Sequence, residues 1–304
     1  MKNQNLFLEN CLPEKSNFLY YLIGSLIIII FNLIGQIPLF YYVSKSVSSE
    51  HVNTGTLDIL NSLDSNLAYF LILFPFLIAF LGFIFVIKKL HRQSFKSVTT
   101  SRSKIDIKRI IFSFLYWTTL SSIIFFSDLI ISPDNFELNF KVFPFLIMLI
   151  ISIIFIPFQS ALEEYIFRGY LMQGFSKMFN NRWMPLILTS FIFGSLHYFN
   201  PEVDKLGPGL IIYYIGTGFF FGIITLMDEG IELSIGLHVA NNLMTAILVT
   251  AEWTSFQTES IFKDVSEPSL GVELVVFLFI VYPLTMYIFS KKFNWFNWRN
   301  KIFS

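Results

Sequence analysis

The sequence predicts an all-α, polytopic membrane protein with about eight transmembrane helices and both termini in the cytoplasm. Three observations predict it. The 304 residues are 54% hydrophobic and only 14% charged, where a soluble domain carries roughly 25% charged residues. Eight apolar stretches, each near the ~20 residues a bilayer requires, alternate with polar segments. The basic residues are also shared unequally between the two sides. With the N-terminus inside, the outer loops keep only Lys45, Lys141, Lys205 and Lys263 of the 21 Lys and Arg, which is the cytoplasmic bias of membrane proteins.

Residues 1–16 are polar and mixed in charge. The first span, about Asn17–Val43, is too long for a signal-peptide core and lacks a small-residue cleavage site, so it reads as a retained helix. Asn32, Gln36 and Pro38 lie inside it and can be met by neighbouring helices. A Ser/Thr/Asn-rich loop, 44–65, leads to span two, Leu67–Ile87, with a kink expected at Pro75. The most basic segment, 88–109, precedes span three, Ile110–Ile131. Span four begins at Val142 and runs to about Met178, long enough to project beyond the bilayer. Span five is Trp183–Tyr198, span six Pro208–Met227, span seven Ile231–Thr250 and span eight Leu270–Phe289. The tail mixes Trp295 and Trp298 with Lys and Arg, as interfacial anchors do. The organisation expected is a motif-free three-helix region over 1–141, a catalytic membrane core over 142–250, and a last helix with a basic-aromatic tail over 251–304.

Net charge is zero, so no nucleic-acid partner is indicated. Cys11 is the single cysteine. It permits no internal disulfide, and no Cys/His cluster of structural-zinc type is present.

The informative residues are the polar ones inside apolar spans. Glu163, Glu164 and Arg168 end the long apolar run of span four, where each ionisable group costs roughly 2.5–3.5 kcal/mol at mid-bilayer. Glu164 and Arg168 are spaced i,i+4 with the acid first, the favourable order for a helical pair. Glu163 is rotated ~100° from Glu164 and is left to face something else. In span five, His197 follows Phe193 by four residues. Spans four and five form a hairpin, and Glu163 and His197 both lie roughly 21–23 Å from its loop at ~1.5 Å per residue. The two are therefore expected at one depth. In span seven, His238 and Asn242 share a helix face, while Asn241 is read as packing. Gly194, Ser195 and Gly236 flank the histidines and can let helices approach. A carboxylate and an imidazole on different helices can hold a water between them. A second imidazole and an amide N–H can stabilise a developing oxyanion.

Read in order, EExxxR (Glu163, Glu164, Arg168), FxxxH (Phe193, His197) and HxxxN (His238, Asn242) resemble the CPBP family of intramembrane proteases. This is also called the ABI or CAAX-protease family and includes the Rce1-type endopeptidases. The resemblance covers about Phe155–Ala246. It implies a glutamate-dependent endopeptidase in an eight-helix membrane fold. Glu163 matches the catalytic glutamate that activates water with His197. His238 and Asn242 match the oxyanion pair, and Glu164 and Arg168 the supporting pair. It implies a peptide or protein substrate, such as a C-terminal tail, in contact with membrane lipid, in a multi-pass protein of the cell membrane. No cofactor is expected. An alternative enzyme reading gives zinc to Glu163, His197 and His238. A non-enzymatic alternative is a membrane scaffold or a bacteriocin self-immunity protein.

Overall fold

The computed structural model describes residues 6–10, 17–49 and 63–303. Cys11, the remainder of the polar N-terminal arm and most of the 44–65 loop lie outside the described residues. Helices occupy every stretch where the sequence places a span. Among the described residues six are long and apolar enough to cross a membrane: Phe18–Lys45, Ser65–Leu90, Ile107–Ile131, Val142–Phe179, Leu210–Asp228 and Val272–Lys292. The helices at the fifth and seventh stretches have 14 and 17 residues.

The first span is made of α1 (Phe18–Gly35) and α2 (Ile37–Ser49). Asn17 caps α1 by accepting from the Leu19 amide. The two polar residues inside the span satisfy each other, with Gln36 Nε2 donating to Asn32 Oδ1 at 2.7 Å. An amide facing hydrocarbon needs such a partner, and here it comes from one turn away. Helix α3 (Ser65–Phe85) is capped by Asp64. Helix α4 (Ile107–Ile131) follows the basic loop and is capped by Asp106.

The fourth span is a rod in three parts: α5 (Val142–Glu164), a π-helical stretch Tyr165–Leu171, and α6 (Met172–Phe179). It ends at Asn180, whose φ of +50° places it in the left-handed region that Asn tolerates. The glutamates therefore stand where α-helix turns into π-helix, an irregularity often found at functional sites. Helix α7 (Trp183–Leu196) returns beside the rod and α8 (Leu210–Asp228) packs on α7. Helix α9 (Glu232–Leu248) is buried along most of its length and lies between α4 and α5. The last span is α10 (Val272–Val276), a π-helical stretch and α11 (Tyr282–Lys292).

Three glycines set how closely these helices approach. A Cβ on Gly236 would lie 2.0 Å from Ser113 Oγ and 2.3 Å from the Ile110 carbonyl oxygen, so α9 and α4 touch backbone to backbone. A Cβ on Gly218 would lie 2.8 Å from Ser190 Cα, which joins α8 to α7 in the same way. Gly194 serves this purpose against Ile215, whereas Ser195 is exposed.

One feature departs from a purely helical reading. Residues Phe136–Leu138 (β1), Val249–Thr250 (β2) and Phe262–Asp264 (β3) form a small sheet in the order β1-β3-β2. β1 runs antiparallel to β3 and β2 parallel to it. These segments are connecting loops, whose backbone groups still need partners, and the sheet supplies them. Beside it, the Lys263 ammonium hydrogen-bonds Glu252 and holds its carboxyl below the usual carboxylate range.

Candidate active site

The two adjacent glutamates end α5 in opposite surroundings. Glu164 is fully buried. Its Oε1 accepts from Arg168 Nη1 at 3.0 Å and from His238 Nδ1 at 2.8 Å, so one oxygen takes a donor from its own helix and one from α9. Its Oε2 and Arg168 Nε have no hydrogen-bond partner in the protein. Arg168 is also fully buried, and its Nη2 donates to the Gly218 carbonyl at 3.3 Å. Its guanidinium lies 4.4 Å from the Phe193 ring centroid and 5.3 Å from that of Phe221. The cation is thus neutralised by Glu164 and covered by aromatic faces, which suits a guanidinium better than an ammonium.

Glu163 points elsewhere. Its side chain is 16% exposed, and its Oε1 accepts from Gln159 Nε2. Its Oε2 stands 3.8 Å from His238 Nε2, too far for a direct hydrogen bond. His238 therefore bridges the pair, with one ring nitrogen on Glu164 and the other turned toward Glu163. Its ring is stacked on Phe221 at 5.2 Å and 21°. A carboxylate only accepts, so Nδ1 carries the hydrogen that Glu164 receives.

His197 ends α7 and opens a 3₁₀ turn, His197–Phe199. Its Nδ1 lies 2.7 Å from the Phe193 carbonyl oxygen. A carbonyl also only accepts, so Nδ1 is protonated and neutral His197 keeps a lone pair on Nε2. The ring stacks on Tyr214 at 4.2 Å and 24°. The register expected of the hairpin is met: Phe167 and Arg168 meet Phe193, one helical turn before His197. Phe193 is the shared ring, 4.7 Å from His197 and 6.3 Å from His238. No hydrogen bond joins His197 to Glu163 among the described residues.

Asn242 is turned toward α5. Its Nδ2 donates to Gln159 Oε1 at 2.8 Å and Ser160 Oγ at 3.2 Å. Asn241, read from sequence as packing, is hydrogen-bonded on both sides: it accepts from Trp117 Nε1 and donates to Asn242 Oδ1, each at 3.1 Å. Gln159, Ser160, Trp117 and Tyr214 are thus site residues that sequence reasoning missed. A signal existed for Gln159 and Ser160, which are polar, lie in an apolar run and sit within one turn of Glu163.

Among the described residues no group of three His, Cys, Asp or Glu is placed to hold a metal ion. A second charged cluster closes the opposite end of α9. Asp228 receives Arg102 Nη2 at 2.6 Å and also Arg109 Nη1 and Trp295 Nε1. Arg102 Nη1 reaches Glu232 Oε2 at 3.1 Å, and Lys301 reaches Glu229 at 2.8 Å. Arg102, Arg109, Asp228, Glu229, Trp295 and Lys301 line a polar cavity of about 220 Å³. They tie the basic loop and the C-terminal segment to the start of the helix that carries His238.

Residues 142–244 match the family described as type II CAAX prenyl endopeptidase Rce1-like. An uncharacterized protein of Bacillus subtilis strain 168, YyaK, is 30% identical over 176 residues, which are 58% of this chain and 59% of that protein. No solved structure matches the chain. The matched segment begins with α5 and ends within α9, so it holds both glutamates, Arg168, both histidines and Asn242. The segment that carries these polar side chains, residues 142–244, is thus similar to the Rce1-like CAAX prenyl endopeptidases.

Proposed function

We propose that this protein is an intramembrane endopeptidase in which Glu163 activates water for peptide hydrolysis. The observation that carries the reading is the contrast between the two neighbouring carboxylates. Glu164 is sealed and doubly hydrogen-bonded, as a structural group should be. Glu163 is partly exposed and turns Oε2 toward His238 Nε2 across 3.8 Å, without a direct hydrogen bond.

A water seated beside Glu163 Oε2 gives its proton to that oxygen while its own oxygen adds to the scissile carbonyl carbon. The bare Nε2 of His197, coming from the facing helix, accepts a hydrogen bond from the water's other O–H, which stays on the oxygen, and so aims the water's lone pair. The carbonyl oxygen becomes an oxyanion. In its imidazolium form His238 donates from Nε2 to that oxyanion, with Glu164 holding Nδ1. The C–N bond then breaks, and the proton on Glu163 passes to the leaving amine. Asn242 matches an oxyanion donor by motif. In this arrangement it spends its amide hydrogens on Gln159 and Ser160, and it steadies Glu163 through Gln159.

The substrate class that suits the family is a protein with a prenylated C-terminal tail, reached from the bilayer of the cell membrane. The test uses the purified full chain in detergent with a farnesylated peptide ending in a CAAX-type sequence. Wild type should cleave it, and Glu163→Gln should lose roughly 10²–10⁴-fold in kcat, the usual contribution of a positioned base. Chelator should leave the wild-type rate unchanged. Cleavage by Glu163→Gln at the wild-type rate would remove the proposed base. Chelator-abolished activity restored by zinc would replace it with a metal mechanism.

A further inference from the structure

A run of hydrogen bonds crosses three helices and ends on Glu163. Trp117 Nε1 on α4 donates to Asn241 Oδ1 on α9. Asn241 Nδ2 donates to Asn242 Oδ1. Asn242 Nδ2 donates to Gln159 Oε1 on α5, and Gln159 Nε2 donates to Glu163 Oε1. An isolated side-chain amide can be placed either way round, but these cannot. An indole N–H donates and never accepts. Asn241 must therefore turn its oxygen to Trp117, which leaves its NH₂ for Asn242. The same choice is then forced on Asn242 and on Gln159. At the far end an ionised carboxylate only accepts, so both termini demand one polarity. Bonds aligned head to tail in this way polarise and reinforce one another.

We propose that Trp117, Asn241, Asn242 and Gln159 form a one-way positioning relay. It holds Glu163 by Oε1 and leaves Oε2 turned toward His238. The proposal rests on Glu163 being the water-activating carboxylate. The relay is anchored on α4: Trp117 is buried and packs against Phe220 at 6.0 Å and Tyr282 at 6.2 Å. Apolar packing on α4 thereby fixes a polar group on α5, and none of the four residues needs to touch substrate. A misplacement of about 1 Å at a reacting group can cost on the order of 10²-fold in rate, so a loose Glu163 would show in turnover.

Trp117→Phe removes the terminal donor, and Asn241→Leu breaks the run one link further in. On the farnesylated CAAX-type peptide each should lower kcat about ten-fold and leave KM within about two-fold, the mark of an interaction lost at the transition state. A second readout needs no turnover. In ¹⁵N-labelled protein, the Trp117 indole N–H resonance is assigned by its loss in Trp117→Phe. It should shift in Gln159→Leu, although residue 159 is three links away. Wild-type kcat in both Trp117→Phe and Asn241→Leu, or an unmoved indole resonance in Gln159→Leu, overturns the relay. Full activity in Glu163→Gln instead overturns the choice of base, and the resonance then decides the relay alone.

Discussion

Replacing Arg168 with alanine is the sharpest test of how the core is held together. The guanidinium is fully buried, donates to Glu164 and to the Gly218 carbonyl, and is covered by Phe193 and Phe221. Removing one partner of a buried pair costs about 3–5 kcal/mol, because the other charge is stranded. Here Glu164 keeps the His238 Nδ1–H at 2.8 Å, which favours the lower end, about 3 kcal/mol. At about 2–4 °C per kcal/mol for chains of a few hundred residues, the melting temperature should fall by roughly 6–12 °C. Tryptophan fluorescence of the detergent-solubilised chain reads it directly, since five Trp are present. The paired variant Arg168→Met with Glu164→Gln should recover at least half of the loss, because no buried charge remains. A melting temperature in Arg168→Ala within about 2 °C of wild type, or no recovery in the paired variant, would refute the pairing argument.

Further outcomes follow from the packing and the second cluster. Gly236→Ala forces a methyl group against Ser113 and the Ile110 backbone, so it should destabilise by about 1–3 kcal/mol and lower turnover by moving His238, read by melting and kcat together. Asp228→Asn leaves Arg102 and Arg109 without their shared carboxylate. It should cost about 3 kcal/mol, and the wild-type melting temperature should change little between low and high salt, because Asp228 is buried.

Much of this site is legible in the sequence, for identifiable reasons. The Glu164–Arg168 pair is readable because i,i+4 spacing on one helix fixes a distance whatever the tertiary fold. The shared depth of His197 and the glutamates is readable because a hairpin with near-equal arms can be counted from its loop. The rotation of one helix against another is not readable, and here it decides the partners. His238 and Asn242 do share a face, yet that face meets α5 broadside, giving His238 to Glu164 and Asn242 to Gln159. Trp117 joins the site from the region read as motif-free, because an indole in an apolar helix looks like packing. Arg102 meets Asp228 and Glu232 across more than a hundred residues, and in sequence those charges speak only for membrane orientation. Strands of two or three residues in polar loops carry no alternation to reveal the sheet.

The two histidines are mounted differently. His238 belongs to a polar block spanning α4, α5 and α9, bonded side chain to side chain. His197 stands on α7, and among the described residues its links to that block are aromatic faces and close-packed glycines. Ring contacts can slide by tenths of an ångström at small cost, and charge-assisted hydrogen bonds cannot. The gap between His197 and Glu163 is therefore the adjustable one, while the carboxylate, its amide support and the second imidazole keep their mutual geometry.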